Sequence, residues 1–349
     1  MRKIVKSVNN HENHKVLSVS VVMATFNSER TINKALASVR SQRYPQEMIE
    51  IVIADGGSSD KTLAIAKKYK VTIINVPKEL QNAEYNKGIG VNIAKNEILL
   101  LLDSDNILPH KEWLRKMIIP FIQNKKIVGV EPLRFHYDPK MTLLDRYFSL
   151  LGGNDPVAYY LHKDSHLSWA FDTYNLYGES KDMGDYYFVK FSPGKIPALG
   201  GNGAAIRRKL LLKEASADPD HFFHIDVNVD LIRKGYNTYG IFKDSIIHLT
   251  NNSVIPFLQR RKYYIEKYHF EDMSKRRFSV YEPPKDTFNL IKYCLYSVTF
   301  IKPLYDSLRG YMKVRDVAWF LHPVMCFAML FIYGFATIKQ NFGKHTAAI

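Results

Sequence analysis

The spacing of apolar positions changes several times along the chain, and each change marks an element. Val16-Leu17-Ser18-Val19-Ser20-Val21-Val22-Met23 alternates and then runs apolar, the pattern of a buried strand, and ends at the polar Ala24-Thr25-Phe26-Asn27. Over residues 28–42 the period lengthens, with Ile32, Leu36 and Val39 on one face of a predicted helix. Residues 49–54 form a second short apolar strand, closed by Asp55-Gly56-Gly57-Ser58-Ser59-Asp60. A helix over 61–69, a strand over 71–76 and a helix near 84–95 follow. Ile98-Leu99-Leu100-Leu101-Leu102 is a fourth strand and ends in Asp103-Ser104-Asp105. Strand–helix alternation with nearly continuous apolar strands predicts an α/β fold, Rossmann-like, with a mostly parallel sheet flanked by helices. Such sheets bind ligands outside the carboxyl ends of their strands. The clusters 25–27, 55–60 and 103–105 all fall at that edge.

Two later regions have a different texture. Residues 147–191 hold 12 aromatics in 45 positions, about twice the 13% of the whole chain, with no clean period. That composition fits a loop-rich substrate region, within an acceptor segment of about 130–200, or a tyrosine-rich packed subdomain. Residues 318–338 carry no formal charge with His322 neutral, and as a helix would extend about 31 Å, close to a bilayer core. Pro323 and His322 interrupt one end. Residues 288–304 are also apolar, interrupted by Lys292 and Lys302.

Composition narrows the field. The chain has 349 residues, 46% hydrophobic and 24% charged, which excludes a disordered or fibrous protein. Its two cysteines, Cys294 and Cys326, lie in apolar stretches and exclude a disulfide scaffold or a cysteine zinc site. Residues 1–15 form a basic arm without an apolar run of signal-peptide length, so the bulk of the chain is expected in the cytosol. The net charge of +15 implies an anionic partner. From residue 257 onward there are 15 Lys/Arg against 7 Asp/Glu, so charge concentrates beside the apolar tail. That favours an anionic membrane surface over nucleic acid, for which no module is present.

Two carboxylates one residue apart at a strand end can hold Mg²⁺ or Mn²⁺ through oxygen and bridge it to substrate phosphates. Asp-x-Asp alone is also an ordinary solvated turn; its place after an apolar strand is what makes it informative. The 55–60 cluster is read either as a strand-to-helix turn with Ser59 or Asp60 as cap, or as a site where Asp55 accepts a hydrogen bond from a nucleobase. Gly88-Ile89-Gly90 begins like a dinucleotide fingerprint, but Ile93 stands where its third glycine belongs.

Taken in order, residues 20–27, Ala37-Ser38-Val39-Arg40-Ser41-Gln42-Arg43-Tyr44-Pro45, 50–62, Asn86-Lys87-Gly88-Ile89 and Asp103-Ser104-Asp105 resemble a family-2 glycosyltransferase with the GT-A fold, over roughly residues 17–250. The resemblance implies inverting transfer from a nucleotide-diphosphate sugar, UDP-linked. It implies that Asp55 contacts the base, that Thr25, Asn27 and Asn86 border the nucleotide, and that Asp103 and Asp105 serve ribose, diphosphate and metal, with Asp105 the direct ligand. Gly200-Gly201-Asn202-Gly203 resembles the glycine-rich segment beside the sugar, which points to Gly201 and Asn202. His248 falls where some relatives place a histidine near the diphosphate or metal, although a lone histidine after an apolar strand also reads as structural. Gln259-Arg260-Arg261-Lys262-Tyr263 is similar to a motif of processive members, so Arg260, Arg261 and Lys262 are expected at phosphate or membrane; an amphipathic basic helix at the membrane surface explains the same residues.

The sequence also departs from the family. Tyr85 stands where arginine is common, so a phosphate or base contact must come from elsewhere. Where relatives carry Glu-Asp before an Asp-Leu helix start, this chain has Val227 and Asn228. Inversion at a sugar carbon needs a base for an acceptor hydroxyl, and Asp226 is the expected one, with Asp230 as alternative. An ionised acceptor such as a polyprenyl phosphate would need none. The expected layout is a basic arm (1–15), a GT-A catalytic domain (16–256) and a membrane-associated helical extension (257–349), at the cytoplasmic face of a cell membrane, acting on a lipid-linked or saccharide acceptor. A non-catalytic membrane scaffold that keeps the nucleotide fold is the reading from a different class.

Overall fold

The computed structural model describes residues 16–174, 176–250, 253–267 and 275–346, with side chains to 339. The basic arm lies outside the described residues. Ten strands form one sheet: β1 (Val19–Thr25), β2 (Ile49–Asp55), β3 (Thr72–Asn75), β4 (Ile98–Leu101), β5 (Asn106–Ile107), β6 (Gly129–Phe135), β7 (Glu179–Asp182), β8 (Tyr186–Lys190), β9 (Ala204–Arg207) and β10 (Thr238–His248). Their order is β3-β2-β1-β4-β9-β6-β10-β8-β7, with β5 pairing β10. The block β3-β2-β1-β4 is parallel, as its apolar runs predict. Beyond it the sheet is mixed, since β9 runs antiparallel to both β4 and β6.

Both faces of the parallel block are covered, and the strands show why. Val19, Val21, Met23, Ile51, Ile53 and Leu100 enter one core, whereas Val22, Val52, Leu99 and Leu101 enter another on the opposite face. Helix Ala83–Ile93 is capped by Asn82, whose side chain accepts the Glu84 N–H at 2.9 Å. Gly88 and Gly90 let it lie close: a Cβ on Gly90 would stand 2.6 Å from Val22, and one on Gly88 2.8 Å from Phe222. The half-fingerprint at 88–90 is therefore a packing device.

The aromatic region proves to be packed. Tyr147 and Phe148 are buried under the C-terminal helices, Tyr177 and Phe191 in a core beside β10, and Tyr186 in the core shared with the parallel strands. Those helices, Thr287–Thr299, Ile301–Lys313 and Leu321–Thr346, pack on helices Leu143–Leu151, Pro156–Tyr160 and Val254–Ile265. Residue 256 falls inside the last of these, so the expected boundary there cuts through a helix rather than a linker. Pro323 sits in the first turn of helix Leu321–Thr346, where its missing N–H breaks no bond. His322 is buried between two phenols, with Tyr147 Oη 2.9 Å from Nδ1 and Tyr160 Oη 3.1 Å from Nε2. Burial pushes its pKa down to about 3.

Candidate active site

The parallel register brings Thr25 beside Asp55, and both strand ends open on the same edge as Asp103. Thr25 Oγ1 donates to Asp55 Oδ1 at 2.9 Å, and Asp55 also accepts Gly57 N–H (3.0 Å), Ser58 N–H (2.8 Å) and Ser58 Oγ–H (2.6 Å). Its carboxylate thus builds the turn from below. Gly57 takes φ +84°, a conformation that favours glycine. Asn27, itself at φ +49°, accepts Ser59 N–H at 2.9 Å and ties the first loop to the second. Ser104 Oγ donates to Ser28 Oγ at 2.9 Å and ties in the third.

Asn86 lies beneath these loops, 1% exposed, with neither its amide nitrogen nor its oxygen bonded. A Cβ on Gly56 would stand 3.0 Å from that nitrogen. Next to it, Lys87 Nζ meets Asp103 Oδ1 at 2.7 Å and Glu84 Oε1 at 4.0 Å. Glu84 in turn accepts His224 Nδ1 at 2.7 Å and the His224 backbone N–H at 2.9 Å. Burial opposes charge on all three of Lys87, Glu84 and Asp103, but opposite charges prevail: His224 and Lys87 act on Glu84, Lys87 on Asp103, and both carboxylates on Lys87. Lys87 is held protonated, its pKa raised, and the two carboxyls titrate below their ordinary range.

Asp103 N–H donates to Asn106 Oδ1 at 2.9 Å, and Asn106 Nδ2 donates to Asn202 Oδ1 at 3.1 Å, which draws the glycine-rich segment to the Asp103 turn. Gly200 takes φ +110°, and a Cβ there would collide with the His224 carbonyl. Asp105 Oδ2 is 3.5 Å from His248 Nε2, while Asp105 Oδ1 is buried and unpartnered. Burial disfavours a charged His248, but Asp105, helped by Asp103 and Asp145, raises its pKa. Among the described residues, no three His, Cys, Asp or Glu side chains close on one ion, so Asp103, Asp105 and His248 are not a ready-made cage.

Thr25, Asn27, Asp55, Asn86, Asp103, Asp105, Gly201, Asn202 and His248 therefore gather at one edge. The expected bases do not join them. Asp226 is fully buried at the start of helix Asp226–Arg233, where Arg276 donates to both its oxygens (3.0 and 3.1 Å) and Arg277 N–H adds a third bond at 2.8 Å. Asp230 accepts Arg277 Nε at 3.0 Å and Ser216 N–H at 3.1 Å. Both are held by arginine side chains. Arg261 is likewise no free phosphate contact: it pairs with buried Asp155, which also accepts the Tyr333 hydroxyl at 2.7 Å. Arg260 and Lys262 are exposed on the same helix. Sequence reasoning gave no role to Glu84, Lys87 or His224. Lys87 is a buried cation two residues after Tyr85, and its only signal in the sequence is its place inside Asn86-Lys87-Gly88.

The model of the family described as glycosyl transferase family 2 matches residues 20–211. Glycosyltransferase AglE of Haloferax volcanii is 32% identical over 102 residues, 28% of this chain and 33% of that protein. The poly(ribitol-phosphate) beta-N-acetylglucosaminyltransferase TarP of Staphylococcus aureus is 35% identical over 94 residues, 26% of this chain and 29% of that protein. The match thus spans a third or less of these curated relatives. Among solved structures, the mannosyltransferase PcManGT from Pyrobaculum calidifontis, in complex with GDP-Man and Mn²⁺, superposes with a TM-score of 0.51 at 14% identity, covering 95% of this chain and 88% of that one. That likeness shows the fold, the GT-A arrangement. With more than half its length matched and its polar loops at the edge where such folds bind ligands, this chain belongs to glycosyl transferase family 2.

Proposed function

We propose that the chain is an inverting transferase that moves a sugar from a nucleoside-diphosphate sugar, UDP-linked, to a lipid-linked or saccharide acceptor at a membrane. The observation that carries this is the set of unpartnered buried polar atoms at one sheet edge, the Asn86 amide and Asp105 Oδ1, beside the buried cation Lys87. An unbonded buried polar group costs about 1–3 kcal/mol, which a polar ligand relieves. The loops of Thr25, Asn27 and Asp55 would wall the nucleoside, and Lys87 places a fixed positive charge where a diphosphate would lie. Mg²⁺ or Mn²⁺ fits the donor set, because such ions need only one or two carboxylates and complete their shell with substrate phosphates. Asp105 Oδ1 is a free donor of that kind, and the other Asp105 oxygen lies 3.5 Å from His248 Nε2. A bound ion would neutralise charge on the departing diphosphate. The Mn²⁺ and GDP-Man of PcManGT support this pairing.

The membrane part rests on an apolar surface. On helix Leu321–Thr346, Val324, Phe327, Phe331, Phe335 and Ile338 share one exposed stripe, while Met325, Cys326, Met329 and Ala336 are buried against the domain. The segment Val317–Lys339 is long and apolar enough to cross a bilayer. Yet a crossing would strip His322 from Tyr147 and Tyr160, and Tyr333 from Asp155. These contacts favour a helix lying in the interface of the cytoplasmic leaflet.

Nucleotide release from a panel of UDP- and GDP-sugars, with Mg²⁺ or Mn²⁺ and membrane lipid extract, tests the proposal. We expect ion-dependent release that falls about a hundredfold in Asp105→Ala. Undiminished ion-dependent release in that variant overturns the metal assignment, and no nucleotide binding by the wild type overturns the function.

A further inference from the structure

Asn228 stands where the family resemblance would put a carboxylate, and it is fully committed: Nδ2 donates to the His224 and Leu199 carbonyls (3.0 and 3.3 Å), and Oδ1 accepts the Tyr239 hydroxyl at 2.9 Å. With Asp226 and Asp230 held by arginines, no carboxylate on helix Asp226–Arg233 is free to take a proton. One turn before Asn228, His224 offers another group. Its side chain is 21% exposed, and Glu84 grips it twice, through Nδ1 at 2.7 Å and through the backbone N–H at 2.9 Å. An ionised carboxylate only accepts hydrogen bonds, so the neutral imidazole carries its proton on Nδ1 and presents the Nε2 lone pair. Lys87 Nζ, 4.0 Å from Glu84 Oε1, sets a positive charge beside that carboxylate. Nε2 faces the glycine-rich segment: a Cβ on Gly201 would stand 3.2 Å from it, and neighbouring Asn202 is tied through Asn106 to Asp103.

We propose that His224 Nε2 is the general base of the transfer and that Glu84 is its positioning residue; this rests on the transferase reading above, with a hydroxyl as acceptor. The acceptor oxygen forms its bond to the anomeric carbon as the bond from that carbon to the diphosphate breaks. The electron pair leaves with the nucleoside diphosphate, the hydroxyl proton passes to Nε2, and Nε2 returns it to water. The carboxylate fixes the tautomer and orientation of the ring, as in other carboxylate–histidine pairs. If the pair only pinned residues 222–225 to helix Ala83–Ile93, it would need Nδ1 alone and would leave Nε2 without a task.

Two measurements on the full chain test this. In ¹⁵N-histidine-labelled protein, long-range ¹H–¹⁵N spectra report the tautomer: His224 should be protonated on Nδ1 when neutral, and Glu84→Ala should shift it towards Nε2–H. With the sugar nucleotide and acceptor found in the panel, His224→Ala and His224→Gln should each lower kcat by about 10²–10⁴-fold. Binding of UDP or GDP with Mn²⁺, followed by calorimetry, should stay near wild type, and Glu84→Gln should lower kcat by less than either histidine variant. An Nε2–H tautomer in the wild type overturns the proposal. So does near-wild-type kcat in a folded His224 variant, the result expected for a phosphate acceptor, and so does a parallel loss of nucleotide binding, which would make His224 a donor contact. Wild-type protein that binds nucleotide separates these failures from failure of the transferase reading, in which neither nucleotide binding nor transfer is seen.

Discussion

Lys87 Nζ lies 2.7 Å from Asp103 Oδ1, a buried ammonium docked on the first carboxylate of the Asp-Ser-Asp turn. The pair couples helix Ala83–Ile93 to the end of β4 and puts a cation at the strand edge whether or not any ion is bound. Removing one partner of a buried pair strands the other. Lys87→Met should therefore lower stability by about 3 kcal/mol and weaken UDP or GDP binding as well. Urea unfolding and calorimetry on the same preparations check both; a variant with wild-type nucleotide affinity would show that the cation serves only the fold.

Asp226 is the contrasting case. Its carboxylate is saturated by Arg276 and two backbone N–H groups. Asp226→Asn should cost about 3 kcal/mol of stability yet leave turnover per folded molecule unchanged. A loss of kcat at full stability would return Asp226 to the chemistry.

These two residues mark how far the sequence could be read. The parallel block was legible because each strand alternates between two buried faces, and its polar ends are local in sequence. The mixed half was not. β7 is Glu-Ser-Lys-Asp with every residue exposed, β6 contains Glu131 and Pro132, and β9 is four residues after a glycine turn, so none carries an apolar period. Asp55, Asp103 and Asp105 were findable as strand-end motifs. Glu84 and His224 meet across 140 residues of chain, and no local pattern encodes that contact. The arginine partner of Asp226 likewise lies 50 residues away in the chain.

Glu131 gives a pH prediction. It is buried on β6, its Oε1 accepts the Gly200 N–H, and Oε2 has no partner. Burial pushes its pKa up to about 8, with the Gly200 bond opposing the shift only in part. Between the unfolded value near 4.5 and the folded value, the native state binds the extra proton, so stability falls as pH rises through that window and levels off above it. The slope from this one group is at most about 1.4 kcal/mol per pH unit. Glu131→Gln keeps an acceptor for Gly200 and should flatten the difference in urea midpoint between pH 5.5 and pH 8.5. Equal pH dependence in the two proteins would mean that Glu131 titrates normally.

The last prediction concerns the C-terminal helices. Ile301 and Met312, at 74% and 76% exposure, are the most open apolar residues of helix Ile301–Lys313, and Phe335 at 65% continues the exposed stripe of helix Leu321–Thr346. Burying one such side chain is worth about 2 kcal/mol, so replacing it by glutamate should weaken membrane partitioning by more than about tenfold. None of the three belongs to the buried contacts that hold these helices on the domain, so Ile301→Glu, Met312→Glu and Phe335→Glu should leave thermal stability in detergent-free buffer unchanged or improved. Co-flotation with vesicles containing anionic lipid, at low and high salt, reads the effect. Salt should weaken binding of the wild type, because basic residues such as Lys302, Arg309 and Lys313 stand on the same helix as the apolar contacts. A helix inserted across the bilayer would behave differently: alkaline carbonate would fail to extract the wild type, and single glutamates would not release it. Extraction of the wild type by carbonate, together with loss of flotation in the variants, is the pattern required of a helix lying in one leaflet.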